Sequence, residues 1–510
     1  MLNVKLLIFA IFTFSTFANT YFCDQVLEKN PIQQVGRTKP LAVHAKEVIK
    51  HLSGKSKVDG KGSFMVYCLL SAKGFGLPID FELSTPIEHS KTRELLDGKT
   101  SIKFTELMDR QRDLMIARNS EKFESGYKKD LGKMLSKINL YRDISSGNNW
   151  LVPQNNGGQI SWIPINQFFT KEKITRLSGN SNENPFVKSL LDAKKEYDAN
   201  GDLTYQLEYK FFKMKLPLVS MVLCLLALAS LVLFKKFKIS LAFSVSTILV
   251  QTVYLVLRVM ISGRAPITNM YETVLFSGYG ALVISMIIGH FKKEKVFVYM
   301  GLGYNFCTLM MINFAHGMLS PSISPLVPVL RDNFWLSTHV TTIIMSYGAL
   351  ALSWILANTI IVKKFFSNLT TKDELYYNDV MYTSLKYGVV MLAAGILLGG
   401  VWADYSWGRF WGWDPKETWS LIVLCFYMAI LHGKYTNWIK PQHFSHLVAG
   451  AFMSVMMAWF GVNYILASGL HSYGFSEGGA YFLGTFFTIQ IAILAITVKN
   501  FKNNNTPKEA

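Results

Sequence analysis

From residue 216 to residue 498 the chain is a succession of nine apolar segments, each long enough to cross or nearly cross a bilayer. They fall near 216–234, 239–258, 273–290, 296–314, 339–362, 385–402, 419–435, 446–468 and 480–498. Inside a bilayer, backbone N–H and C=O groups find no water, so each segment must satisfy them internally as a helix. The fold class is therefore a polytopic α-helical membrane protein of about nine transmembrane helices. Composition agrees, because 17% of residues are charged against roughly 25% in soluble proteins.

The stretch before the spans is different in kind. Residues 1–18 carry a lone Lys5, an apolar stretch from Leu6 to Phe17 and the small Ala18, the pattern of a secretory signal peptide, with an uncleaved anchor as the alternative. Residues 19–215 contain no spanning run and are rich in Lys, Asp, Glu, Asn and Gly, which reads as an exported soluble domain of α+β type. Its opening, PIQQVGRTKPLAVHAKEVIKHLSGK, predicts an extended or turn segment around Gly36 to Pro40 and then a helix; Ser178 to Asn184 reads as a loop.

Charge sorts the loops. If the soluble domain is exported, alternate loops are cytoplasmic and should hold the lysines. They do: Lys235, Lys236 and Lys238, then Lys292, Lys293 and Lys295, Lys363 and Lys364, Lys434 and Lys440, and Lys499 and Lys502 in a tail over 499–510. Outer loops hold few positives, mainly Arg258, Arg264, Arg331, Arg409 and Lys416. No nucleic-acid partner is expected despite the net charge of +18, because the positives punctuate long apolar runs instead of forming a patch interleaved with polar readout residues. Five cysteines without a CxxC pair exclude a zinc finger and a thioredoxin-type motif; Cys23 and Cys68 alone could form a disulfide. Cys224, Cys307 and Cys425 lie in apolar segments and read as packing residues.

Two constellations can carry chemistry. The outer loop 402–419, WADYSWGRFWGWDPKETW, holds five of the eleven tryptophans. An interfacial belt would scatter single rings over many span ends. Here Trp402, Trp407, Trp411 and Trp413 crowd beside Gly408 and Gly412, which suits a platform for a flat ligand. At its exit Asp414 is placed as N-cap, Pro415 as first helical residue and Glu417 as the closing member of a capping box; Asp414 could equally orient a ligand. The second constellation is histidine. His339 and His471 sit at outer ends of the fifth and eighth spans, the same face as the tryptophan loop, where two imidazoles could ligate a haem iron; His316 is also outside and competes with them. His432, near the inner end of the seventh span, is either an intramembrane ligand or a residue reaching cytoplasmic water.

The motif WGRFWGWDPKETW between outer histidines closely resembles the CcsA/ResC-type cytochrome c biogenesis proteins, as do GRAPITNMYET (263–273), PLVPVLRDNFWLSTHV (325–340) and GLHSYGF (469–475). The resemblance covers about 239–498 within a transmembrane assembly domain over 216–498. It implies cytochrome c maturation in the inner membrane of a bacterium, with the N-terminal domain and the tryptophan loop periplasmic. Haem, of b type and transiently bound, would be held by His339 and His471 outside and by His432 within the membrane. The loop would cradle it through Trp402, Trp407, Gly408, Arg409, Trp411, Gly412, Trp413 and Asp414, and a ResB-type membrane partner and apocytochrome c would complete the system. Arg409 and Arg264 could meet haem propionates, or pair with Asp404 or Glu272. No catalytic side chain of the chain's own stands out, so a component of a holocytochrome c synthase and a haem chaperone are both open. Two other classes stand as alternatives: a haem b electron-transfer subunit, which would bury fixed histidine pairs within spans, and a solute transporter, which would place ionisable or helix-breaking residues near mid-membrane. Gly395, Gly399 and Gly400 are explained by close helix packing.

Overall fold

The computed structural model describes residues 22–76, 81–120, 125–169, 184–315, 317–326, 332–367, 369–466 and 479–504. The segment 1–18, most of the tract 178–184, His316, Arg331 and His471 lie outside the described residues. The chain divides into two compact units, Met1–Met214 and Lys215–Ala510.

The first unit mixes helices with four two-stranded antiparallel pairs: three are hairpins with two-residue turns, and the fourth, Ser84–Pro86 with Ser101–Lys103, encloses the helix Ser90–Leu95. The GRTKPL segment belongs to one of these. Pro31–Gln34 pairs with Arg37–Pro40, and the chain turns through Val35 (φ 50°) and Gly36 (φ 76°), the left-handed pair that a two-residue hairpin needs. Arg37 pairs with the buried Glu208 at 2.6 Å and Lys39 with Glu47 at 2.6 Å, so the basic residues of this segment are structural. The helix expected next is Leu41–Ser53. It buries Leu41, Ala45, Val48, Ile49 and Leu52 at helical spacing and stops at the left-handed Gly54. Cys23 and Cys68 are joined as a disulfide, with Cα atoms 5.6 Å apart, fastening the start of the described chain to the buried helix Ser63–Ala72.

Among its described residues the second unit holds helices and connecting segments but no strand: α1 Leu216–Val232, α2 Phe237–Ser262, α3 Met270–Lys292, α4 Val296–Phe314, α5 Thr341–Phe366, α6 Thr371–Trp407, α7 Pro415–Tyr435, α8 Pro441–Met456 and α9 Gly479–Asn504. Seven helices in the described chain are long and apolar enough to cross a membrane. Of the nine expected spans, α7 and α9 fall outside that count. The first turn of α7 carries Lys416 and Glu417, and of α9 only the shorter stretch Gly479–Ala495 is counted, although the helix runs on to Asn504. Helices α1–α2, α3–α4 and α5–α6 pack as antiparallel neighbours, and α5 sits centrally against α3, α4, α6, α8 and α9. Close approach needs small residues: a Cβ on Gly348 of α5 would come within 2.9 Å of the Ser277 carbonyl oxygen of α3.

Two helices depart from α geometry at the same end of the bundle. Residues Leu336–Val340, just before α5, and Met457–Leu466, continuing α8, are wide π-helical turns. Such turns insert a residue and re-aim side chains, and they are frequent at functional sites.

Candidate functional site

The cavity at that end is lined by the start of α3, the wide turn before α5, the C-terminal part of α6, the α6–α7 segment and the wide turn after α8, and it opens to the exterior.

His339 stands in its wall. Its Nδ1 lies 2.8 Å from the Gly395 carbonyl oxygen, so Nδ1–H donates to the backbone and the Nε2 nitrogen carries the lone pair. The ring packs 5.7 Å from that of Trp402. Gly395, Gly399 and Trp402 lie at i, i+4 and i+7 on one face of α6. Each meets the imidazole differently: Gly395 accepts its proton, Gly399 makes room for it, and Trp402 flanks it. A Cβ on Gly399 would sit 2.5 Å from His339 Cε1. The buried Trp402 indole Nε1 has no hydrogen-bond partner among the described residues.

The α6–α7 segment folds back across the cavity. Gly408 ends α6 in the left-handed region (φ 68°) and donates its N–H to the Asp404 carbonyl. The Phe410 ring packs over Gly400, where a Cβ would come within 2.5 Å of it. At the exit, the capping box is formed. Asp414, nearly buried, accepts from the Lys416 N–H at 3.0 Å, while Glu417 accepts from the N–H groups of Gly412 at 2.8 Å and Asp414 at 3.2 Å.

Of the residues assigned to the site from sequence, His339, Trp402 and Trp411 line the cavity. Trp407, Gly408, Arg409, Gly412, Trp413 and Asp414 shape the segment without lining it. Trp413 is 70% exposed and stands edge-on to Trp411 at 6.0 Å. Arg409 lies across Gly412, which explains that glycine: a Cβ there would collide with the guanidinium. His432 is apart from all of these. It lies at the opposite end of α7, exposed, with Nδ1 donating to the Met428 carbonyl at 2.8 Å. Some 16 residues at 1.5 Å rise put it about 24 Å along the helix from Lys416. His471 lies outside the described residues.

The structure also corrects the arginine pairings. Glu272 pairs with Arg258 and not with Arg264; the Nε–Oε1 distance is 2.6 Å, and the two side chains are 1% and 2% exposed. Arg258 Nη2 donates to the Pro321 carbonyl at 2.9 Å, and the second Glu272 oxygen accepts from the Thr268 N–H and hydroxyl, each at 2.7 Å. This buried network fixes Ile267 to Thr273, which form one wall of the cavity. Arg264 donates to the Ser324 carbonyl and does not line the cavity.

Sequence reasoning missed Phe410, Trp459, Asn463 and the cavity-lining role of Lys416. Trp459 and Asn463 are spaced i, i+4 in the eighth span, a stripe that was visible but indistinguishable from core.

Fold and cavity together define a multi-pass helical membrane protein with an aromatic, histidine-bearing cavity where the ends of five helices converge. Comparison with known proteins then narrows the class. A family model described as cytochrome C assembly protein matches residues 267–471, from the first cavity wall through the tryptophan segment. The chain is 31% identical over 249 residues to a cytochrome c biogenesis protein CcsA of Guillardia theta, covering 44% of this chain and 81% of that protein. It is 30% identical over 278 residues to a CcsA of Prochlorococcus marinus, covering 48% and 88%. To protein NrfI of Wolinella succinogenes it is 34% identical over 231 residues, but the match spans 44% of this chain and only 25% of NrfI. The chain belongs to the CcsA family of cytochrome c biogenesis proteins.

Proposed function

We propose that the chain receives haem at the His339 cavity and presents it outside the cytoplasm for covalent attachment to apocytochrome c, in company with a ResB-type membrane partner. The observation that carries this reading is the Nδ1–H bond from His339 to the Gly395 carbonyl, 2.8 Å long, which turns a basic Nε2 toward use as an iron ligand beside Trp402. The unpartnered Trp402 N–H and the apolar floor suit a macrocycle with polar edges. His471 is proposed as the second axial ligand. Iron held by two imidazoles is shielded from other ligands, and one of the two can yield to a histidine of the incoming cytochrome.

Haem is the cargo here. Attachment adds each of two cysteine S–H groups of the apocytochrome across one haem vinyl: a C–S bond forms, the thiol proton ends on the neighbouring carbon, and no net oxidation occurs. For that the chain need only hold haem still with its vinyl edge accessible, so positioning supplies the acceleration. A holocytochrome c synthase component and a haem chaperone share this requirement. The first unit is proposed to lie in the periplasm of a bacterium, its residues 1–18 serving as export signal. The Cys23–Cys68 disulfide fits an oxidising compartment, and the lysine-rich loops fit the opposite side. His432, exposed on this chain, would need a partner's surface to complete a site.

The test is visible spectroscopy of the purified protein, alone and with its partner, for wild type, His339→Gly and His471→Gly. A bis-histidine spectrum lost in either variant and restored by imidazole is the expected result. Haem indifferent to both substitutions would overturn the ligand assignment.

A further inference from the structure

Two arginines were the candidates for meeting haem carboxylates, and the structure places neither in the cavity wall: Arg264 is turned to the Ser324 carbonyl, and Arg409 lies across Gly412. Among the described residues lining the cavity, Lys416 is the one lysine or arginine. We propose that Lys416 is the anion anchor of this cavity, binding a carboxylate of the planar ligand and thereby fixing which edge of it faces the start of α7.

Three observations support it. The backbone of Lys416 is locked, because its N–H is held by Asp414 and Glu417 closes the capping box around it, so the side chain leaves from a fixed point. Lys416 also sits in the first turn of α7, where the helix dipole disfavours a cation and where acidic residues are the stabilising choice. A lysine retained there, only partly exposed, is costly to the fold. The neighbouring Asp414 carboxylate offsets part of that cost, and an anionic ligand in the cavity offsets more. Third, the other charged group in the wall cannot compete for a cationic ligand: the Glu417 carboxylate already accepts two backbone N–H groups. Most of the remaining wall is apolar or aromatic, as at Leu336, Ile343, Phe410 and Trp459. A flat, largely apolar molecule with carboxylates on one edge matches that distribution.

The inference rests on the haem reading and adds an orientation to it. Haem carries its two propionates together and its vinyl groups away from them. With a propionate at Lys416, the vinyl edge is turned away from the α7 N-terminus.

The experiment compares haem with haem dimethyl ester, which keeps ring and iron but lacks the negative charges. Both are titrated into the purified full-length protein in detergent, read by visible spectra and by quenching of tryptophan fluorescence. Wild type should favour the diacid about tenfold. Lys416→Met should lower affinity for haem by that factor and leave the diester unchanged, and Lys416→Arg should keep the preference. Equal binding of diacid and diester by wild type overturns the anchor, and this comparison needs no variant to fold. So does a preference that survives Lys416→Met. If neither ligand binds in a His339-dependent manner, the haem reading itself fails, an outcome distinct from equal binding of both.

Discussion

Gly399→Ala puts the smallest possible obstruction against His339. The added Cβ would sit 2.5 Å from His339 Cε1 and 2.9 Å from Nδ1, closer than carbon atoms pack, and the neighbour is a ring tethered by its own hydrogen bond. In an open helical position this substitution stabilises by up to about 1 kcal/mol, since alanine is the better helix former. Here overpacking costs about 1–3 kcal/mol, and a lost imidazole–carbonyl bond about 0.5–1.5 kcal/mol more. The net is a displacement of His339 costing about 1–3 kcal/mol, equivalent to haem binding weakened roughly 10- to 100-fold. Gly484→Ala is the control, because nothing lies within 4 Å of a Cβ there. Haem titrations of both variants, with melting curves, provide the assay. Gly399→Ala binding haem as tightly as Gly484→Ala, with an unchanged spectrum, would refute the placement of His339 against α6.

Arg258→Met should destabilise the membrane unit by about 3–5 kcal/mol, because it leaves Glu272 buried and unpaired, whereas the double variant Arg258→Met/Glu272→Leu should recover much of the loss; thermal melts in detergent measure both. In the first unit, burial holds the His44 imidazole down at about 4, against an ordinary 6.5, with Nε2 donating to Asn149 at 2.8 Å. Its unfolded state therefore binds the extra proton between those values, so stability is complete above pH 6.5 and falls as pH drops toward 4. The total loss, about 3 kcal/mol, should disappear in His44→Gln and is measured by denaturant melts across that range. Removing the disulfide with Cys68→Ala should cost that unit about 2–4 kcal/mol, read as a lower melting temperature that thiol reagents no longer shift.

Sequence revealed the membrane half more fully than the first unit because long apolar runs leave the backbone one choice, and α2 to α6 lie where those runs do. The capping box was equally legible, since Asp414, Pro415 and Glu417 act through their immediate neighbours. So was the closeness implied by Gly399, although only the structure showed that the group coming close is an imidazole. Strands two to six residues long, paired only in twos, leave too little periodicity to read, and the first unit's topology was hidden for that reason. Lys416 and Arg409 look alike in sequence. Which of them reaches the cavity is decided by the left-handed turn at Gly408 and the fold-back after it, a tertiary outcome.

The wide turn over Met457–Leu466 makes the eighth span two instruments joined end to end. Its first part, Pro441–Met456, is packed against α5 and keeps ordinary α phase. Its second part begins on a different phase, since each inserted residue rotates the later side chains by about 100°. Trp459 and Asn463 are thereby re-aimed, and hydrogen bonds fix them there: the Trp459 indole N–H donates to the Thr273 hydroxyl at 3.2 Å and the Asn463 amide to the Trp459 carbonyl at 2.6 Å. A change in this stretch is therefore felt twice, because Phe460 and Val462 are buried in the bundle while Trp459 and Asn463, on the same turns, line the cavity.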